Sequence, residues 1–202
     1  MKPLSSLSNG IRQSDIRAVT ARVNAVNGIN LGQGICDMPT PDSIKDGAKA
    51  AIDNDKSIYA PYDGIEPLKQ HILEKMMSFN GIPVKGTGDI LVTAGSTGAF
   101  VTAIFALLDP GDEVILFEPW YGYHSHLLKL RSVKQKTLPM YPPSWEVDFE
   151  RLESLVTGKT KAIVITTPNN PCGKVWTRNE LEQLMELMIG HDLYAITDEV
   201  TA

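Results

Sequence analysis

The chain has 202 residues, 43% hydrophobic and 21% charged, enough for one good-sized domain with a real core, or a domain and a fraction. A net charge of −5 argues against a nucleic-acid or anionic-membrane surface, and no run approaches the roughly 20 apolar residues a membrane span needs. The first residues, MKPLSSLSNGIRQSD, carry no apolar h-region, and Cys36 and Cys172 are too few for a disulfide framework, so the expectation is a cytoplasmic protein with two reduced thiols.

Apolar residues at Ile16, Val19, Val23 and Val26 keep a helical period. Ile29-Asn30-Leu31 then runs into Gly32-Gln33-Gly34, where the backbone is free to turn or to approach a ligand closely. Thr40-Pro41 predicts an N-cap with proline at the first helical position, opening a helix to about Ile52. Tyr59-Ala60-Pro61-Tyr62-Asp63-Gly64 is a turn-rich connection ahead of an amphipathic helix with Leu68, Ile72, Met76 and Phe79 on one face. From Asp89 onward, short apolar runs alternate with helical patterns. Strands are predicted at 90–93, 114–117, 133–138, 162–166 and 194–197, and helices at 97–108, 121–130, 149–156 and 180–189. This alternation implies βαβ units and a mostly parallel sheet. The organisation read from it is a minor N-terminal segment at 1–40 and a sheet domain at 41–202.

Four segments carry chemistry. Thr93-Ala94-Gly95-Ser96-Thr97-Gly98-Ala99 joins a strand to a helix, where glycine, hydroxyls and a helix N-terminus suit a phosphate; a plain capped helix start is the competing reading. Glu118-Pro119-Trp120-Tyr121-Gly122-Tyr123-His124 places aromatic rings after the next strand, either to stack on a flat cofactor or to fill a core. His124 and His126 lie close together, but no Cys/His/carboxylate set has ligand spacing, so a metal site is not expected. Thr167-Pro168-Asn169-Asn170-Pro171-Cys172-Gly173 ends the buried run at 161–166, and Thr177-Arg178-Asn179-Glu180 then forms a capping-box pattern. Asp198-Glu199 follows the last strand, as a partner for a ring nitrogen or metal or as a solvated charge. All four would face the carboxyl edge of one parallel sheet. An anion cup, a π surface, an amide and a carboxylate are the contacts that pyridoxal phosphate requires.

The segments TPNNPCG, TAGSTGA, TDEV and YAPYDGIEPLK resemble the fold-type I, class I/II aminotransferases that use pyridoxal 5'-phosphate, over nearly the whole chain. The resemblance implies an α/β fold: a mostly parallel three-layer αβα sheet domain of the aspartate aminotransferase type, incomplete here. Residues 1–40 would be part of the small domain and 41–202 an incomplete cofactor-binding large domain. It further implies that Gly95, Ser96 and Thr97 bind the phosphate and that Tyr121 stacks on the ring, with Trp120 as second choice. Asn170 would bond the ring hydroxyl, and Asp198 would pair with the pyridinium nitrogen. Tyr59 would reach the phosphate of the partner subunit of a homodimer, and Gly34 would contact the substrate carboxylate. Lys174 does not match the Schiff-base position and reads as a surface lysine. Thr201 stands where the family usually has tyrosine. The Schiff-base lysine and the carboxylate-gripping arginine have no counterpart in the chain, which reads as a truncated, catalytically incompetent piece of an enzyme acting on a 2-amino acid and a 2-oxo acid. A carbon–sulfur lyase using the same cofactor and a non-catalytic dimerising or regulatory fragment are the alternatives.

Overall fold

The computed structural model describes residues 2–8, 11, 15–34, 36–84, 86 and 88–200. Thr201 and its expected correspondence lie outside them. The chain groups into two compact units, Gln13–Thr93 and Met1–Arg12 with Ala94–Ala202. This grouping follows a different line from the expected division into 1–40 and 41–202.

The first unit is built of α1 (Asp15–Ala25), α2 (Asp42–Asp53) and α3 (Glu66–Ser78) with their connections. The apolar periods predicted these helices, and none of the unit's described residues is buried. The cap of α2 differs from expectation. Pro41 itself is the N-cap residue, and no side chain caps the helix, so Thr40 lies one position too early to serve. The strand expected at 90–93 is also absent. No strand runs beside it among the described residues, and extended backbone without a neighbour has no ladder to join. The segment is held instead by the Asp63-Gly64 turn. Val92 N–H donates to Asp63 O at 3.0 Å. Gly64 has φ +107°, and a Cβ there would meet Val92 Cγ2 at 2.5 Å, so only glycine permits this approach.

The second unit is a layered α/β structure. In chain order it contains α4 (Gly95–Leu107), β1 (Glu113–Glu118), α5 (Gly122–Leu130), β2 (Lys134–Pro139), α6 (Phe149–Leu155), β3 (Thr160–Thr166), α7 (Arg178–Gly190) and β4 (Tyr194–Asp198). The strands pair in the order β2-β1-β3-β4, and every pair is parallel. Side chains alternate across the sheet, so each apolar strand feeds two cores. Val114, Leu116, Ala162, Val164 and Ile196 pack with Phe100 and Ile104 of α4 and Leu128 of α5. On the other face, Ile115, Phe117, Ile163 and Ile165 pack with Leu152 of α6 and Leu184 of α7. The capping box expected at α7 is present, with Thr177 Oγ1 accepting from Glu180 N and Glu180 Oε2 accepting from Thr177 N.

Consecutive strands step outward from β1 to β2, then cross back over β1 to β3. The strand order therefore reverses between β1 and β3, where open parallel sheets place their ligands at the carboxyl ends.

Candidate active site

At the start of α4, Gly95 has φ +74°, a left-handed backbone that glycine adopts without strain. Ala94, the N-cap residue, has no side-chain oxygen to offer, and no side chain caps this end. The N-terminal end of a helix carries positive potential, a setting suited to an anion. Ser96 and Thr97 lie on that turn. The phosphate loop was expected to follow a strand; it follows the irregular segment 88–93.

After β1, Tyr121 is the N-cap of α5, and the helix turns His124 and Leu128 inward at i, i+4 spacing. His124 is buried and stacks on Phe100, with ring centroids 4.4 Å apart. The Tyr121 ring meets it edge-on at 5.4 Å. His124 Nε2 lies 3.1 Å from Asp198 Oδ2 at the end of β4, so the N–H on Nε2 donates to the carboxylate. Burial pushes the imidazole below its ordinary pKa, and the Asp198 charge and hydrogen bond offset part of that. Asp198 is thus oriented from within, while Val200 N–H donates to its Oδ1 at 3.3 Å.

These residues surround a cavity of about 360 Å³ lined by Ser96, Thr97, Phe100, Tyr121, His124 and Asp198, among others. Four of the sequence-predicted residues therefore share one space: Ser96, Thr97, Tyr121 and Asp198. Gly95 adjoins it as the first residue of α4. Asn170 does not line it and stands exposed on the loop after β3. Gly34 and Tyr59 belong to the other unit, where both are exposed. The donor set fits pyridoxal phosphate: hydroxyls at a helix N-terminus for an anion, a phenol ring for a π face and a carboxylate for a protonated ring nitrogen.

Lys174 is corrected by the structure. It is not a surface lysine but buried, with Nζ 2.7 Å from Glu180 Oε1 and 5.3 Å from the centre of the Trp176 ring. Burial raises the Glu180 carboxyl, but the Lys174 ammonium and the Thr177 hydrogen bonds outweigh it and hold the pKa below the usual value. Trp176 Nε1–H donates to Thr166 O at 3.2 Å, closing the base of the same loop. No lysine is among the described residues lining the cavity.

Two residues at the site carry little signal in the sequence. In the sequence His124 reads as one member of an aromatic cluster beside His126; its place three residues after Tyr121 on one helix is the available signal. Asn169, buried beside Asn170, carried no signal that separated the two asparagines.

The fold is a layered α/β structure with a cavity at the carboxyl edge of its parallel sheet, and comparison with known proteins supplies the family. A model of "Aminotransferase class I and II" matches residues 26–200, and the chain belongs to that family. The aspartate/prephenate aminotransferase of Thermus thermophilus is 33% identical over 99% of this chain and 51% of its own length. Human kynurenine–oxoglutarate transaminase 1 is 34% identical over 85% of the chain and 44% of its own length. Among solved structures, N-succinyldiaminopimelate aminotransferase from Mycobacterium tuberculosis superposes with a TM-score of 0.92 at 30% identity, covering 98% of this chain and 52% of that one. The chain spans about half the length of the curated relatives it matches.

Proposed function

We propose that the whole protein is a pyridoxal-phosphate-dependent aminotransferase, moving an amino group between a 2-amino acid and a 2-oxo acid. The observation that carries this is the single cavity gathering Ser96, Thr97, Tyr121 and Asp198 at the carboxyl edge of a parallel sheet. The cofactor, when bound, supplies an electron-withdrawing ring that stabilises negative charge at the substrate's α-carbon.

Gly95, Ser96 and Thr97 hold the phosphate on the N-terminal turn of α4. Tyr121 covers one face of the ring and keeps water from it. Asn170 donates to the ring hydroxyl. Asp198 keeps the proton on the ring nitrogen, and His124 holds that carboxylate in position. Tyr59 completes the phosphate site of a partner subunit in a homodimer, and the Gly34 backbone meets the substrate carboxylate. In this reading residues 41–202 contribute to the cofactor-binding domain and 1–40 to the smaller one. Among the described residues no helix is long and apolar enough to cross a membrane, and a cytoplasmic location is part of the proposal.

The test has two arms. Titrating the chain with pyridoxal phosphate, followed by absorbance, should show saturable binding that Asp198→Ala weakens and spectrally shifts; an unchanged spectrum and affinity would remove Asp198 from the site. Incubating the whole protein with an amino acid, with and without a 2-oxo acid, decides the reaction. Turnover only with the oxo acid supports amino transfer, and turnover without it points to the carbon–sulfur lyase alternative.

A further inference from the structure

The reversal of strand order leaves a mechanical problem. The chain leaves β1 for α5 on one face of the sheet and leaves β3 for α7 on the other, so the loops after these strands diverge. One bears Tyr121 and the other Asn170. A cofactor contacting both requires their separation to be fixed to a fraction of an ångström.

Asn169 crosses that gap. Its Nδ2–H donates to Pro119 O, at 3.3 Å, on the Tyr121 loop. Its Oδ1 accepts from Cys172 N–H at 3.1 Å and from the Cys172 thiol at 3.1 Å. Its backbone N–H donates to Lys174 O at 2.8 Å, and its backbone O accepts from Gly173 N–H at 2.7 Å. The residue is 7% exposed, whereas its neighbour Asn170 is exposed. The same loop is tied on its other side, where Thr167 N–H donates to Asp198 O at 3.0 Å.

We propose that Asn169 is a positioning residue for the cofactor site: its carboxamide sets the distance between the Tyr121 loop and the Asn170 loop. The inference rests on the reading of Asn170 as the partner of the ring hydroxyl. Asn169→Asp keeps the acceptor for Cys172 N–H but turns a carboxylate oxygen toward Pro119 O, so it breaks the bridge and leaves the loop's own turn intact. Asn169→Ala removes both.

In the full 202-residue chain, hydrogen exchange read by mass spectrometry should show faster uptake in the segment 118–124 for both variants. Uptake in the segment 167–174 should rise for Asn169→Ala alone. Pyridoxal phosphate and its 3-deoxy analogue are the binding probes. The parent should favour the hydroxyl-bearing cofactor about tenfold, the ratio expected of one good hydrogen bond. Asn169→Asp should reduce this preference to about twofold, and adding Asn170→Ala should reduce it no further than Asn170→Ala does alone.

Equal loss of affinity for both probes in Asn169→Asp would mean a merely structural asparagine and overturn the proposal. Unchanged uptake at 118–124 would overturn it as well, whichever variant folds. A parent with no preference between the probes would overturn the role given to Asn170, and the inference with it.

Discussion

The two compact units obey different physics. In Gln13–Thr93, α1, α2 and α3 form with none of the described residues buried, and Ile44, Ile52 and Phe79 lie exposed. In the unit that includes Ala94–Ala202, Val114, Ile115 and Ile163 are fully enclosed between helical layers. Helices satisfy their backbone within one segment, so an amphipathic period suffices to define them. Strands draw their partners from distant segments, so they exist only where a neighbour and a core are supplied. The segment 90–93 shows the rule by exception, with strand composition and no strand beside it among the described residues.

The contrast is tested most severely by charge. Lys174→Ala removes the buried ammonium and leaves the largely buried Glu180 carboxylate on α7 with only its Thr177 hydrogen bonds, and should cost about 3 kcal/mol in urea unfolding followed by tryptophan fluorescence. Lys45→Ala in α2 removes a pair with Asp42, 3.1 Å apart between exposed side chains, and should cost no more than about 1 kcal/mol. Equal costs would break the distinction between the units.

Apolar truncation follows. Ile163→Ala opens a cavity between β3 and the α6–α7 layer and should cost about 2–5 kcal/mol. Ile52→Ala, at a residue 66% exposed, should stay within about 0.5 kcal/mol. A large loss at Ile52 in dilute solution would show that the first unit hides a core after all.

Acid sharpens the same comparison. Burial holds His124 below its ordinary pKa, so as pH falls below about 6.5 the unfolded chain takes up a proton before the folded one does. Stability contributed by the neutral ring is complete above that pH. It is lost on acidification through the folded pKa, with a slope of at most about 1.4 kcal/mol per pH unit. His124→Phe should flatten this part of the stability–pH curve, and an unaltered slope would mean the buried ring does not titrate with folding.

The smallest effect concerns the caps. Thr177→Ala deletes the capping box of α7 and should cost about 1 kcal/mol. Thr40→Ala should leave the midpoint where it is, because no side chain caps α2.

How much of this was legible depends on where each residue finds its partner. The apolar β-branched runs at 114–117 and 162–166, each closed by a proline, declared buried strands, and the Thr177–Glu180 spacing declared a cap whose partners lie within four residues. The aminotransferase resemblance was likewise readable, because the Asn-Pro loop, the Gly-Ser-Thr turn and the terminal aspartate are short local motifs. What lay beyond reach required distant segments to meet. Two adjacent asparagines are the same to composition; which one is buried against Pro119 is decided by the divergence of the β1 and β3 loops. His124 acquires its carboxylate only because β4 stands in the sheet beyond β3. Lys174 reads as solvent-exposed since burying a lone ammonium is costly, and it becomes a core residue once the folded loop brings Glu180 and Trp176 around it. Sequence by itself determined the helices, the four paired strands and the chemical types at the sheet's edge; the tertiary structure decided whether 90–93 had a strand to pair with and which side chains face one another, since hydrogen bonds and ion pairs act over ångströms in space and not over intervals of chain.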